Sequence, residues 1–257
     1  MIHFLKIVPL VHPGVLFAAC FLSSCTSHDF DQIPRTGFIS HYAPSDKARM
    51  SFDSYWDISD NKDWDERITG QHGKSQPIYV MPVTTHFLLN YPTDPEKAED
   101  VEELCLYFDH QLREKLAILD RQDNTFHLVD HPTRDAYRVQ IALLSITPTN
   151  VTANAAGLIA GHYLKGSGAV LSQVVPGGSI SMGAKFFSPA NKLVAEVADY
   201  EKDESSVISY VLVDTKDFQY YAHHRRHIRI WCDQFCEIFT TPHEHKIRRP
   251  WFSLNPL

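Results

Sequence analysis

The residue with the most definite chemistry in this sequence is Cys25, which ends the stretch Leu22-Ser23-Ser24-Cys25. A cysteine here could belong to a core, a disulfide, a metal site or a lipid attachment point. An apolar residue three positions before the thiol, with small residues between, lets a peptidase reach the bond before it and leaves the thiol to carry a diacylglycerol. The spacing therefore predicts cleavage between Ser24 and Cys25, and a lipidated Cys25 as the mature N-terminus.

The residues before Cys25 fit a signal peptide of a bacterial lipoprotein. Lys6 and the free amine form a short positive region, and the apolar run that follows is interrupted by His12 and Pro13. This run is too broken for a good membrane-spanning helix. We therefore expect residues 1–24 to be the signal peptide. The alternative is a signal peptide cleaved without lipidation, or an apolar N-terminal helix. Cys20 in "FAAC" is a second, weaker candidate for lipidation.

A second group of residues with possible chemistry lies near the C-terminus. The sequence has 15 histidines, and the densest cluster of metal-binding residue types comprises His223, His224, His227, Cys232, Cys236, His243 and His245. Zinc needs such groups to converge with tetrahedral geometry. His223 and His227 share a helix face and are weak candidate ligands. Because both cysteines fall on the apolar side of the same helix, we expect buried thiols, no metal and no cofactor.

Motifs for other chemistries fail on individual residues. In "GGSISMGAK", Gly183 is followed by Ala184, although a phosphate-binding loop requires lysine directly after its second glycine. Ser179 has Ser181 where a hydrolase nucleophile elbow requires glycine. The sequence therefore predicts no catalytic residue and no enzymatic activity.

Composition limits the class of protein further. The chain has 257 residues, of which 44% are hydrophobic and 21% charged, with a net charge of −7. These values suit one globular domain with accessory segments. Nucleic acid is not expected as a partner, because neutralising phosphates requires a basic surface. Cys105, Cys232 and Cys236 cannot all pair, so we expect no disulfide framework.

Residue patterns divide the chain into four parts. Residues 25–75 mix turn formers with scattered aromatics, and we expect a tether followed by an irregular segment that wraps the domain surface. Residues 76–240 hold the periodic elements of one domain, and residues 241–257 form a Pro-, His- and Arg-rich tail that we expect to fray. The Gly-rich stretch 153–178 lies between strands, and either packs on the sheet or touches a membrane or partner.

Within 76–240 the periodicity predicts strands bracketed by two helices. A strand is expected over Pro77–Val83, and a long helix follows from Asp94 as N-cap, with apolar residues at helical spacing. Strands are then expected in "TFHLVD", "AYRVQIALLSITPT", "SISMGAKFFSP", "KLVAEVADYE" and "SVISYVLVDT", before an amphipathic helix around Trp231. The fold class predicted is α+β, a two-layer sandwich with a mostly antiparallel sheet.

Five sequence elements, taken together, resemble one family of bacterial lipoproteins, that with the domain of unknown function 3313. "TGFISHYAPSD" is similar to its opening element, and "RVQIALLSITPTN" is similar to one of its strands. The Gly-rich stretch, "KLVAEVADYE" and the helix with Trp231 follow in the same order, over roughly Gly37 to Phe239. The resemblance implies an exported lipoprotein with an α/β domain, and it supplies no catalytic residues.

The expected function is that of a lipid-anchored envelope protein that acts as a binding, assembly or accessory subunit. Thr26 after Cys25, where aspartate would favour retention in the inner membrane, indicates the outer membrane, facing the periplasm. The expected partners are the membrane, through the lipid, and an envelope protein. The alternatives are a metal-dependent hydrolase that uses the His-rich helix and a cell-wall- or lipid-binding module that uses the Gly-rich stretch and the basic stretch "HHRRHIR".

Overall fold

A computed structural model describes residues 30–45, 52–58, 76–123, 126–148, 178–202 and 222–240. Its strands are β1 (Ser54–Asp57), β2 (Gln76–Val80), β3 (Phe126–Leu128), β4 (Tyr137–Thr147), β5 (Ser179–Phe187) and β6 (Leu193–Lys202). The helices are α1 (Pro95–Asp123) and α2 (Ala222–Thr240), and a 3₁₀ turn spans Phe30–Gln32. The predicted strand in residues 206–215, the tail and nearly all of the Gly-rich stretch lie outside the described residues.

The six strands form one mixed sheet in the order β1-β6-β5-β4-β2-β3. Strands β1, β6, β5 and β4 pair antiparallel, and β2 runs parallel to both β4 and β3. Two parallel bridges, Thr84 to Ala142 and Leu89 to Ser145, continue the alignment of the chain along β4 after β2 ends. The α+β class and the mostly antiparallel sheet are confirmed.

Strand β1 lies inside the segment 25–75, which the sequence predicts as irregular. It has four residues and pairs through Tyr55 and Trp56 with the far end of the chain, at Val197 and Glu196. A strand of four residues is too short to show a clear alternation of apolar and polar residues. Its formation depends on pairing with β6 more than on its own sequence pattern.

Both helices lie on one face of the sheet. Helix α1 begins as predicted: the side chain of Asp94 accepts a hydrogen bond from the N–H of Glu96 at 3.1 Å, and Pro95 occupies the first helical position. The buried side chains of its inner face are Val101, Leu104, Cys105, Phe108, Leu112 and Leu116. Those of α2 are Ile228, Trp231, Cys232, Phe235, Ile238 and Phe239, so both apolar stripes are confirmed as core.

The two helices run in the same direction, side by side. Glu103 pairs with Arg225, the ring of Phe108 stacks against Trp231, and Lys115 pairs with Asp233. The residue numbers of α1 and α2 rise together along these contacts. This parallel arrangement places the acidic first half of α1 beside the start of α2.

The N-terminal segment covers the opposite face of the sheet. Phe38 and Ile39 are buried there against a row of small residues formed by Ala142, Gly183 and Ala198, which are partners in register. A Cβ atom at Gly183 would lie 3.0 Å from the side chains of both Phe38 and Ile39. Glycine is therefore required for this segment to approach the sheet so closely.

Candidate functional site

The surface of α1 and α2 that points away from the sheet is called the outer helical face here. On α1 it is a stripe of exposed side chains at helical spacing: Glu99, Glu103, Leu106, His110 and Glu114. Leu106 is 71% exposed, the highest value among the large exposed apolar side chains of the described residues. An apolar side chain left in water amid acidic neighbours marks this face as a candidate contact surface.

An open groove of about 730 Å³ runs along this stripe. Its apolar lining comes from Leu106, Tyr107, Ala117 and Leu128, and its rim is charged. Small-molecule sites enclose most of their ligand in a concave cavity. Because this groove is open and has an apolar floor with a charged rim, it suits a macromolecular surface better than a small ligand.

Charge is divided between the two helices. Helix α1 carries nine acidic and four basic side chains, a net charge of −5. On α2, Arg226 and Arg229 are exposed and three residues apart, so they share a face. Arg225 connects the helices, because its guanidinium lies 5.1 Å from the Tyr107 ring centroid and 2.6 Å from Glu103. The outer helical face therefore has an acidic strip beside a short basic strip.

The segment before α1 extends this surface. Tyr91 and Thr85 both donate hydrogen bonds to the Glu102 carboxylate, at 2.9 and 3.0 Å. The Tyr91 pKa is raised, chiefly by that hydrogen bond. Leu89 and Tyr91 are exposed, which adds apolar area near the first turns of α1.

Two histidines of α2, His224 and His227, anchor the helix to the sheet. Nε2 of the buried His224 lies 3.1 Å from the carbonyl oxygens of both Thr147 and Ser179, at one end of β4 and β5. Nδ1 of His227 lies 3.5 Å from the carboxylate of Glu201 on β6. The side chain of His223 lies outside the described residues. Within the described part of the chain, no three histidine, cysteine or acidic side chains converge on a point where a metal could bind.

A buried carboxylate holds the middle of α2 in a similar way. Asp199 accepts a hydrogen bond from Nε1 of Trp231 at 2.7 Å and another from the backbone N–H of Asp53 at 3.0 Å. The first contact joins α2 to β6, and the second joins the residue before β1 to the same strand. These polar contacts determine how the helix sits on the sheet.

The three cysteines of the described residues are free thiols in or near the core. Burial raises the pKa of Cys105 to about 12 and that of Cys236 to about 12, and it raises the pKa of Cys232 as well. A thiol binds metal or attacks a substrate as the thiolate. These groups are therefore protonated near neutral pH and suit neither role.

A charged cluster lies on the opposite face of the sheet, around Glu196. Its carboxylate has no solvent exposure and accepts hydrogen bonds from the backbone N–H groups of Ser40 and His41 at 3.0 and 2.7 Å. Nδ1 of His41 donates to it at 2.8 Å, and Nζ of Lys185 lies 3.6 Å away. The His41 ring stacks on Trp56 with 3.7 Å between centroids.

The Glu196 cluster fastens the N-terminal segment to the sheet, and sequence reasoning did not find it. Its members come from β1, β5, β6 and the segment before β1, up to 156 positions apart. One signal was available: alternation in "KLVAEVADYE" places Glu196 on the face opposite Val197, so an acid falls on a covered strand position. The pairing with Ser40 and His41 could not be read from that pattern.

The residues for which the sequence predicts a covalent role are not in the described residues. Cys25, Ser24 and Cys20 all precede Phe30, where the description of the chain begins. Within the described residues, no helix is both long enough and apolar enough to cross a membrane.

Comparison of the chain with family models, curated proteins and solved structures gave no match. The resemblance to lipoproteins with the domain of unknown function 3313 therefore remains a prediction from the sequence elements quoted above.

Proposed function

We propose that this chain is a lipid-anchored protein of the bacterial cell envelope that works by binding and assembly. The observation that carries the proposal is the stretch Leu22-Ser23-Ser24-Cys25 after an apolar run with a positive start. Attachment through the Cys25 thiol, with further acyl chains on the new N-terminus, would hold the protein firmly on a membrane. Thr26 supports the outer membrane, with the domain on the periplasmic side.

The short distance between Cys25 and the fold determines where a lipid anchor would hold the domain. Only five positions separate Cys25 from Phe30, and a chain of that length spans at most about 18 Å. The segment from Ile33 to Ile39 is part of a buried cluster on the sheet. A lipid on Cys25 would therefore keep the domain close to the membrane, with the N-terminal segment on the membrane side.

The binding role is supported by the outer helical face. It combines an exposed leucine, an open groove and a strong division of charge, which are features of protein contact surfaces. The charged clusters inside the fold, around Glu196 and Asp199, have their oxygens engaged by backbone or indole N–H groups. Those groups hold elements together, so they support a scaffold role rather than a catalytic one.

The anchor can be tested with two matched cysteine variants of the full chain. In Cys25→Ser we expect the protein to stay unprocessed or to leave the membrane fraction, because the thiol that carries the lipid is gone. Cys20→Ser is the control, and we expect normal processing and attachment. Unchanged mass and attachment in Cys25→Ser would overturn the lipid anchor at this residue, and the reverse pattern would move it to Cys20.

A further inference from the structure

Near the N-terminal ends of α1 and α2, the outer helical face is self-complementary in charge. Its α1 strip carries Glu99 and Glu103, and its α2 strip carries Arg226 and Arg229, all exposed. Glu103 and Arg225 are in contact, so the acidic and basic positions lie at the same height along the two parallel helices. A surface that carries both signs in neighbouring strips can pair with a copy of itself after a two-fold rotation.

We propose that a second copy of this chain docks on the outer helical face, with α1 of each copy against α2 of the other. The two-fold axis runs parallel to the helices, on the outer helical face, midway between α1 and α2. Rotation about it places the α1 strip of each copy opposite the α2 strip of the other, without shifting either copy along the helices. Glu103 of one copy then meets Arg226 and Arg229 of the second copy, and the reciprocal contact forms too. This inference names the partner of the binding role proposed above and rests on that role.

The apolar part of the surface fits the same arrangement. Leu106 lies one turn after Glu103, so it would be covered where the two layers meet. Ile118, 40% exposed on α1, is a second apolar side chain that another layer could cover. Covering exposed apolar area supplies the favourable free energy of association, and the charges determine which surfaces fit.

The size of the face is adequate for a stable dimer. Helices of 29 and 19 residues are about 43 and 28 Å long and about 10 Å wide each. Over the about 28 Å that the two helices share, they present roughly 560 Å² of planar area, of the same order as the roughly 800 Å² of accessible surface per partner that standard interfaces bury. The acidic strip would repel anionic lipid and nucleic acid, and this leaves a protein surface with a basic strip as the complementary occupant.

The test is an exchange of charges between two tagged full-length chains that are co-expressed and extracted together in detergent. One variant is Glu99→Arg/Glu103→Arg, and the other is Arg226→Glu/Arg229→Glu. Each makes both strips of one chain the same sign. We expect co-purification of two tagged copies of either variant to fall at least about tenfold relative to the unchanged chain, because like charges then face each other.

Mixing the two variants provides the decisive arm. At one contact the arginines of the altered α1 meet the glutamates of the altered α2, so the signs are exchanged but still opposite. At the other contact the original glutamates meet the original arginines, so we expect wild-type co-purification. Lys192→Glu/Lys202→Glu, at exposed positions on the sheet side, is the control for net charge and should co-purify as the unchanged chain does. Failure of the unchanged chain to co-purify, full retention in both variants, or no rescue in the mixture would each overturn the dimer.

A second measurement does not depend on the charge variants folding. Leu106 of the full chain is replaced by the photo-crosslinking amino acid p-benzoylphenylalanine and irradiated in intact cells. We expect an adduct of twice the chain mass, with the crosslink in the peptide that contains Arg226 or Arg229. No such adduct, or crosslinks only to other proteins or to lipid, would overturn the inference. If the chain is lipidated but monomeric, only the dimer proposal is overturned. If it is dimeric but carries no lipid, only the lipid-anchor proposal is overturned.

Discussion

Glu196 illustrates how single residues determine this structure. Its carboxylate is completely buried, yet the backbone N–H groups of Ser40 and His41 and the side chains of His41 and Lys185 surround it with donors. A buried charge is tolerated when its oxygens are satisfied in this way. The core positions of α1 and α2 could be predicted from helical spacing, whereas Glu196 could not, because its partners are remote in sequence.

Replacing Glu196 with glutamine should destabilise the protein strongly. One carboxylate oxygen becomes an NH₂ group and faces an N–H donor in either orientation of the amide. We expect the free energy of unfolding, measured by urea denaturation, to fall by about 3 kcal/mol. Glu114→Gln on the exposed face of α1 is the matched control and should leave that free energy unchanged. Equal effects of the two substitutions would contradict the role given to Glu196.

The buried thiols lead to a prediction about reactivity. With a pKa of about 12, Cys105 and Cys236 have only about one thiolate per ten thousand molecules at about pH 8. We expect iodoacetamide at that pH to leave Cys105, Cys232 and Cys236 unmodified in the folded protein and to modify all three in concentrated urea. Peptide mass spectrometry distinguishes them from Cys20 and Cys25. Fast labelling of Cys236 in the folded protein would show an accessible thiolate.

The same thiols make stability depend on pH in a definite direction. Their pKa in the folded protein is above the ordinary value of 9.0, so the folded state keeps protons that the unfolded state has lost. Their contribution is complete below pH 9 and declines as pH rises from about 9 to about 12. Substituting both Cys105 and Cys236 with alanine should flatten the fall of the unfolding free energy over that range, and an unchanged slope would contradict it.

At the scale of elements, two helices and five of the observed strands follow from sequence periodicity, while β1 does not. The helices have long apolar stripes, and β4, β5 and β6 alternate or are densely apolar. The attachment of the N-terminal segment depends on the absence of a side chain at Gly183, in contact with Phe38 and Ile39. A glycine within a predicted strand indicates close approach of another group, but it does not identify which segment approaches.

A double-mutant cycle at Gly183 tests this attachment. Gly183→Ala places a methyl group 3.0 Å from the end of the Ile39 side chain, and we expect a loss of about 1–3 kcal/mol of unfolding free energy. Ile39→Val removes the methyl group nearest that position, so the double variant should be more stable than the sum of the two single effects predicts. Strictly additive effects would place the N-terminal segment elsewhere.

The alternative of a metal site rests on the histidines and cysteines of α2. The contacts of these side chains lead us to expect no bound metal. His224 bonds to strand carbonyls, His227 faces Glu201, and burial keeps Cys232 protonated. We expect a chelator to leave the thermal midpoint of the purified protein unchanged and zinc analysis to give substoichiometric values. Stoichiometric zinc that is lost in His223→Ala/His227→Ala, but retained in the exposed control His131→Ala, would establish a metal site and overturn this expectation.

At the scale of the whole molecule, the two faces of the sheet are covered by different parts of the chain. The helices bury one face and present the outer helical face, while the N-terminal segment closes the other face near the proposed anchor. The α+β class was predictable because strands and helices follow different periodicities. The strand order was not predictable, since the pairing of β1 with β6 joins residues about 140 positions apart and no local pattern encodes it.

The central claim is that Cys25 is the lipidated N-terminus of the mature protein, and the mass of its N-terminal peptide tests that claim most directly. The account predicts a peptide that begins at Cys25, with a diacylglycerol group on the thiol and no residue from 1–24 attached. A mature peptide that retains Ser24, or one that begins at Cys25 with a free thiol, would contradict it.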